Sequence, residues 1–328
     1  MFTRNIQFFL AAFVASIPCW LLINAISEGM TFSLPIPTFH PQGQLLAAHA
    51  RISPPEDKEF YPERIRNAEP FDLQAQSGFS VLVRADGSQK VLYEKNSNAS
   101  LPIASISKLM SAVVARETYV LDHEILVVKE ALAEKGDMGA LKEGDTFSVK
   151  QLLEMALVES SNDAIAAIVL ETGEQSFIKR MNEKAGSLGM KKTFFRNATG
   201  LDVDARENPG NYSTAKDIVA LAIYLQQQYP ELLDILFSRV IRLYDWKGEF
   251  HHDIISTNEL LLDSGIAGII QAGKTGWTEQ ARGCLLLITR PPDGNGKIIT
   301  VVLGSEDRFG ETKQLLNWIE RAYLWKTF

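Results

Sequence analysis

An α+β fold is what this sequence predicts: an antiparallel sheet flanked by helices, a helical subdomain between its strands, and a transmembrane helix at the amino terminus. Three observations carry that prediction. Alternating apolar residues around a turn fill 77–93. Apolar residues recur at helical spacing through the middle of the chain, and two further strand-like runs come near its end. Strands, then helices, then strands again place both ends of the folded part in one sheet. Ahead of all this, residues 8–26 read FFLAAFVASIPCWLLINAI, without a charge.

The elements follow in order. Residues 78–84 (GFSVLVR) read as a strand, Ala85-Asp86-Gly87-Ser88 as a turn and KVLYEK as the return strand. Residues 105–119 carry Leu109, Met110, Val113 and Val114 on one helical face. Residues 149–158 and 163–171 are helical on either side of Glu159-Ser160-Ser161-Asn162. Residues 174–188 and 214–229 form two more amphipathic helices, the second with Ser213 as its expected N-cap. CLLLITR at 284–290 and KIITVVLG at 297–304 are strands around a PPDGNG turn, and 311–325 is a closing helix.

The apolar run sets the expected organisation. Nineteen residues at about 1.5 Å each reach about 28 Å, near the hydrocarbon thickness of a bilayer. Arg4 precedes the run, Glu28 follows it, and the next cation is Arg51, so the remainder is expected outside the cytoplasm. Residues 1–27 are therefore read as a signal-anchor, or as a signal peptide cleaved after Ser27. The expected localisation is a single-pass cell-membrane protein, or a secreted one on cleavage. Residues 28–70 read as a linker, since seven of the thirteen prolines fall between 35 and 70. Residues 71–328 form the expected folded domain.

Composition excludes several functions. With 328 residues, 46% hydrophobic and 22% charged, the chain has the make-up of an ordinary globular protein. A net charge of −7 without a basic segment argues against nucleic acid as a partner. Two cysteines, Cys19 and Cys284, cannot build a disulfide framework or a CxxC site. The five histidines form no HExxH, so a classical zinc hydrolase has no ligands here.

Three short motifs carry the chemistry. In Ser105-Ile106-Ser107-Lys108 a serine and a lysine share one helical face. A hydroxyl is a weak nucleophile at neutral pH, and a neighbouring amine held neutral can take its proton. In Ser160-Ser161-Asn162, Ser160 is a candidate proton relay, and Asn162 a candidate amide holding Lys108 and the substrate. In Lys274-Thr275-Gly276, ahead of the 284–290 strand, Gly276 lets a substrate lie against the backbone while Lys274 and Thr275 meet a carboxylate. A phosphate-loop reading of the same Gly-Lys-Thr run is set aside. Each motif alone is common, whereas SxxK, SxN and KTG in this order are specific.

These motifs resemble those of the D-alanyl-D-alanine carboxypeptidases, low-molecular-mass penicillin-binding proteins of the serine peptidase type. The resemblance runs from about 78 to 320. It extends to Leu92-Tyr93-Glu94-Lys95-Asn96, Leu101-Pro102-Ile103-Ala104-Ser105, Asn197-Ala198-Thr199-Gly200-Leu201, Tyr212-Ser213-Thr214-Ala215-Lys216-Asp217, Thr257-Asn258-Glu259-Leu260-Leu261 and Lys274-Thr275-Gly276-Trp277-Thr278. It implies a β-lactamase/transpeptidase-like fold. It also implies Ser105 as nucleophile, Lys108 as proton acceptor and an oxyanion hole from the Ser105 and Trp277 N–H groups. The implied substrate is a peptidoglycan stem peptide ending in D-Ala-D-Ala, with β-lactam antibiotics as acylating inhibitors and no cofactor. Arg308 is the candidate for the terminal carboxylate.

Two departures stand out. Arg282 follows the KTG segment where a smaller residue is usual. The chain also stops soon after Trp318, without the carboxy-terminal β-domain and anchor of many relatives, which leaves membrane attachment to the amino-terminal segment. The main reading is a DD-carboxypeptidase. A DD-endopeptidase that cuts crosslinks uses the same residues and is the alternative. A class A β-lactamase would need a water-activating glutamate, for which Glu207 is the nearest candidate, and an inert peptidoglycan-binding protein would not need every catalytic position filled.

Overall fold

The computed structural model describes residues 62–133, 139–202 and 210–325. All of them belong to one of the two units into which the chain divides, Glu59–Phe328. A short strand β1 (Glu63–Arg64) precedes the hairpin of β2 (Ser77–Val83) and β3 (Gln89–Lys95). Strand β4 (Leu101–Pro102) leads into a 3-10 turn, Ala104–Ser107, and helix α1 (Lys108–Thr118). The helical part continues through β5 (Glu124–Leu126), β6 (Thr146–Ser148), α2 (Val149–Glu154), α3 (Asn162–Thr172) and α4 (Glu174–Ser187). Next come β7 (Tyr212–Ser213), α5 (Ala215–Gln228), α6 (Pro230–Phe237) and a hairpin of β8 (Val240–Tyr244) and β9 (Phe250–Ile255). The chain returns as β10 (Ile270–Thr278), β11 (Arg282–Thr289) and β12 (Lys297–Ser305), then closes with α7 (Arg308–Ala322) and β13 (Tyr323–Leu324).

The central sheet has the order β10-β11-β12-β2-β3, with every neighbouring pair antiparallel. Early and late strands meet where β2 pairs β12, Val301 opposite Phe79. Both faces of the sheet are covered. Leu286, Ile288 and Val301 face the core shared with the helical part, whereas Leu285, Leu287 and Val302 pack with Leu315 and Ile319 of α7. Burial on both faces explains why these strands read as unbroken apolar runs rather than as alternation.

The expected amino-terminal transmembrane helix, and the membrane localisation drawn from it, are corrected here. Among the described residues no helix is long and apolar enough to cross a membrane. The longest, α7, has 15 residues, and at about 1.5 Å each it falls well short of a bilayer core of about 30 Å. It also has only one apolar face, which lies on the sheet. Residues 8–26, which carried the expectation, lie outside the described residues. At the other edge of the domain, Glu63 and Arg64 of β1 pair with Leu324 and Tyr323 of β13, so sheet pairing begins on the linker side of residue 71.

Local differences have local causes. The N-cap of α5 is Thr214, whose hydroxyl accepts from the Asp217 N–H at 3.0 Å; Ser213 instead ends β7. The closing helix starts at Arg308, because the Asp307 carboxylate caps it by accepting from the Gly310 N–H at 2.9 Å. The KTG motif lies inside strand β10 itself. Helix α6 and the β8–β9 hairpin have no counterpart in the sequence reading. The β8–β9 turn did carry a glycine signal, Gly248 at φ 79°, which the sequence reading passed over.

Candidate active site

Ser105 sits in the one-turn 3-10 helix that feeds α1. The turn starts at Ala104, whose φ of 47° is left-handed. Such a conformation costs a non-glycine residue free energy and persists only where neighbours hold it. Here the Ser107 hydroxyl donates to the Ala104 carbonyl at 2.7 Å, and the Asn211 side-chain amide donates to the Ser107 hydroxyl at 2.8 Å. Lys108 follows at the first position of α1, fully buried. Its Nζ lies 2.9 Å from Ser105 Oγ, 2.6 Å from Asn162 Oδ1 and 2.7 Å from the Thr199 carbonyl oxygen.

The second motif owes its shape to a break between helices. After α2 the chain widens into a π-helical turn, Met155–Glu159, and then passes through Ser160 at φ 69°, ψ 28°. Ser161 caps α3 by accepting from the Ala164 N–H at 3.2 Å, which makes Asn162 the first residue of that helix. The left-handed residue turns Ser160 toward β10 and Asn162 toward Lys108.

On β10, Lys274 is 1% exposed. Its Nζ donates to Ser160 Oγ at 2.9 Å and to the Thr275 carbonyl at 3.0 Å. Burial, aided by the positive charge of Arg308, lowers its pKa to about 7. The Thr275 hydroxyl lies 2.6 Å from that of Thr257. A Cβ on Gly276 would come within 3.0 Å of the Ile103 carbonyl oxygen and 3.1 Å of Ser105 N, so glycine lets β10 lie directly against the 3-10 turn that carries Ser105. Trp277 is 57% exposed and pairs with Gly283 across β10–β11. The run Gly268–Thr275 does satisfy the letters of a phosphate loop, GxxxxGK[ST], so spelling does not exclude that reading. The structure does: the lysine is buried in mid-strand, and β10 turns into β11 with no helix to receive a phosphate.

Arg308 opens α7 half-buried, its guanidinium 4.4 Å from the Phe309 ring centroid and its buried Nε without a hydrogen bond. Burial lowers its pKa, opposed by the negative charge of Glu259. Its charge is felt at Lys274, which places it on the third-motif side of the site. Arg282 occupies a left-handed position (φ 54°) as the first residue of β11, with its Nε 3.6 Å from Glu306. Cys284 is buried in β11, where burial pushes its thiol up to about 12, unfit for nucleophilic attack. Glu207 lies outside the described residues. No group of His, Cys, Asp and Glu able to hold a metal occurs among the described residues.

The structure thus brings Ser105, Lys108 and Asn162 together, and Ser160, Lys274 and Thr275 beside them, from three parts of the chain. Sequence reasoning gave no role to Thr199, whose carbonyl oxygen lies 2.7 Å from Lys108 Nζ. Nor did it single out Gly200, where a Cβ would fall 2.0 Å from the Ala104 carbonyl oxygen. Both lie in the Asn197–Leu201 segment that carried part of the resemblance, and that was the available signal. Thr257 is a third omission, bridging Thr275 and the Val158 carbonyl.

The family profile described as D-alanyl-D-alanine carboxypeptidase matches residues 65–307. The chain belongs to that family. It is a serine-type DD-peptidase of the penicillin-binding-protein group, acting on peptidoglycan stem peptides. A D-alanyl-D-alanine endopeptidase of Pseudomonas aeruginosa is 31% identical over 76% of this chain and 79% of its own length. One from Escherichia coli is 33% identical over 74% of this chain and 77% of its own. A D-alanyl-D-alanine carboxypeptidase of Bacillus subtilis is 28% identical over 77% of this chain, which spans 63% of that relative. Among solved structures, penicillin-binding protein D2 of Listeria monocytogenes in its cefotaxime-bound form aligns with a TM-score of 0.65 at 31% identity, covering 76% of this chain and 99% of that one. The α+β transpeptidase-like fold of this DD-peptidase is therefore shared with proteins of the family.

Proposed function

We propose that this DD-peptidase is a DD-endopeptidase that cleaves D-alanyl crosslinks between stem peptides, by way of a Ser105 acyl-enzyme. The observation that carries the chemistry is the set of partners around Lys108 Nζ. A neutral amine has two N–H donors and one lone pair. The Thr199 carbonyl and Asn162 Oδ1 only accept, so they take the two N–H groups and leave the lone pair facing the Ser105 hydroxyl. Lys108 is then the base: it takes the Ser105 proton as Oγ bonds to the D-alanyl carbonyl carbon.

The remaining steps follow from the other groups. The oxyanion develops beside Ser105 N and the Trp277 backbone, where Gly276 allows close approach. Ser160, bound by Lys274, relays to the amine that leaves with the second stem peptide the proton Lys108 took from Ser105, which returns Lys108 to its neutral form. Water then hydrolyses the acyl ester, with Lys108 as base again. Arg308 and Thr275 meet the carboxylate beside the scissile bond. β-Lactams acylate the same serine because they present a strained amide to the same groups.

Support for the endopeptidase over the carboxypeptidase reading comes from the two endopeptidase relatives, at 31% and 33% identity over more than three quarters of their length. The carboxypeptidase reading is favoured by the family profile itself. The test is product analysis by mass spectrometry, giving the full chain a crosslinked dimeric muropeptide and a monomeric pentapeptide. Cleavage of the dimer into monomers, faster than release of D-alanine from the pentapeptide, is expected. D-Alanine release with an intact dimer would replace this reading with the carboxypeptidase one.

A further inference from the structure

The catalytic scheme leaves one buried acid without a role. Glu159 is 4% exposed and stands immediately before Ser160, at the end of the π-helical turn. His252 of β9 places its Nε2 at 3.2 and 3.3 Å from the two carboxylate oxygens. Behind it, His252 Nδ1 lies 2.7 Å from His251 Nδ1, and His251 Nε2 lies 3.7 Å from Asp145. One proton assignment satisfies the inner contacts. His252 Nε2–H donates to the carboxylate, and His251 Nδ1–H donates to the bare His252 Nδ1.

The same stretch of chain reaches the turn a second time. The Thr257 N–H donates to the Val158 carbonyl at 3.1 Å, and its hydroxyl meets Thr275 of β10 at 2.6 Å. Residues 252–257 thus grip the turn at both Val158 and Glu159 while contacting the third motif. What they hold is a serine in the left-handed region, which is a strained place for a residue with a Cβ. Gly139 closes the other side; a Cβ there would be 2.5 Å from Ser161 Oγ and 3.7 Å from a Glu159 carboxylate oxygen.

We propose that Glu159 is a positioning residue: its hydrogen bond to His252 anchors the turn that presents Ser160 to Lys274. This deepens the serine-peptidase reading and rests on it. Glu159 acts through Ser160, so its loss slows the chemical step and leaves recognition alone. Burial raises its pKa to about 7 and lowers that of His252, so the pair exchanges a neutral for a charged hydrogen bond near neutrality without losing the contact. Among the described residues, the other charged groups around the histidines are Asp145, Lys142 and Asp253.

The test is the kinetics of acylation of the full chain by a fluorescent penicillin, read as the maximal rate and the half-saturating concentration. Glu159→Ala is expected to lower the maximal rate about tenfold, the scale of one hydrogen bond to a charged group, with half-saturation within about twofold. Glu159→Gln keeps an acceptor for His252 Nε2–H and is expected to recover the wild-type rate within about twofold. His252→Ala attacks the same bond from the less buried partner, and the double variant should be no slower than the slower single one. If Glu159→Ala fails to fold, His252→Ala carries the same expectation. Wild-type rates in the alanine variants, or a Gln variant as slow as the Ala one, would overturn the proposal. Absence of wild-type labelling at Ser105 would instead overturn the serine-peptidase reading beneath it.

Discussion

Lys108 Nζ stands 2.9 Å from Ser105 Oγ, where the 3-10 turn passes into α1, and is shut away from solvent. The Asn162 Oδ1 and Thr199 carbonyl oxygens lie 2.6 and 2.7 Å from the same nitrogen.

Ser105→Ala should abolish labelling by a fluorescent penicillin, because it removes the hydroxyl hydrogen-bonded to Lys108 Nζ at 2.9 Å. Gel fluorescence and intact-mass analysis check it. A residual adduct in the variant would show that another residue is acylated.

Asn162→Ala removes the 2.6 Å partner of Lys108 and should slow acylation by about 10–100-fold, from the roughly 1.5–3 kcal/mol typical of a hydrogen bond to a charged group. Stopped-flow acylation rates measure this. A variant within twofold of wild type would mean that the Asn162 contact does not orient the amine.

The pKa of Lys274 falls from 10.5 to about 7 because it is buried. The unfolded chain therefore binds more protons than the native one between pH 7 and 10.5, and this lysine makes stability rise with pH across that window. Lys274→Met should raise the unfolding midpoint most at pH 6 and progressively less toward pH 10. Thermal denaturation across that range tests the sign, and a gain that grows with pH would contradict it.

Gly276→Ala places a methyl 3.0 Å from the Ile103 carbonyl oxygen and 3.1 Å from Ser105 N. Relief requires β10 to move away from the nucleophile turn, at a cost of about 1–3 kcal/mol in stability. Denaturant unfolding and acylation rates should both report it. Unchanged acylation would mean that the strand shift does not reach the oxyanion site.

Much of this molecule is legible in the sequence because local rules decide it. The spacing of Ser105 and Lys108 puts them on one helical face, and the apolar runs at 284–290 and 297–304 around a PPDGNG turn read as strands. The three motifs in order point to the family without any coordinates. The amino-terminal apolar run suggested a membrane span by its uncharged length; no helix among the described residues is long and apolar enough for one, and residues 8–26 lie outside them.

Tertiary structure alone decided which atoms surround the amine and the turn. Asn162 lies 54 residues from Lys108 and Thr199 lies 91, distances over which no periodicity carries information. The left-handed Ser160, the π-helical turn before it and the Glu159–His252 contact across 93 residues also arise only when β9 packs against that turn. Side-chain type and spacing could be read along the chain. The direction of each hydrogen bond depended on packing, because only packing brings remote acceptors to one buried nitrogen.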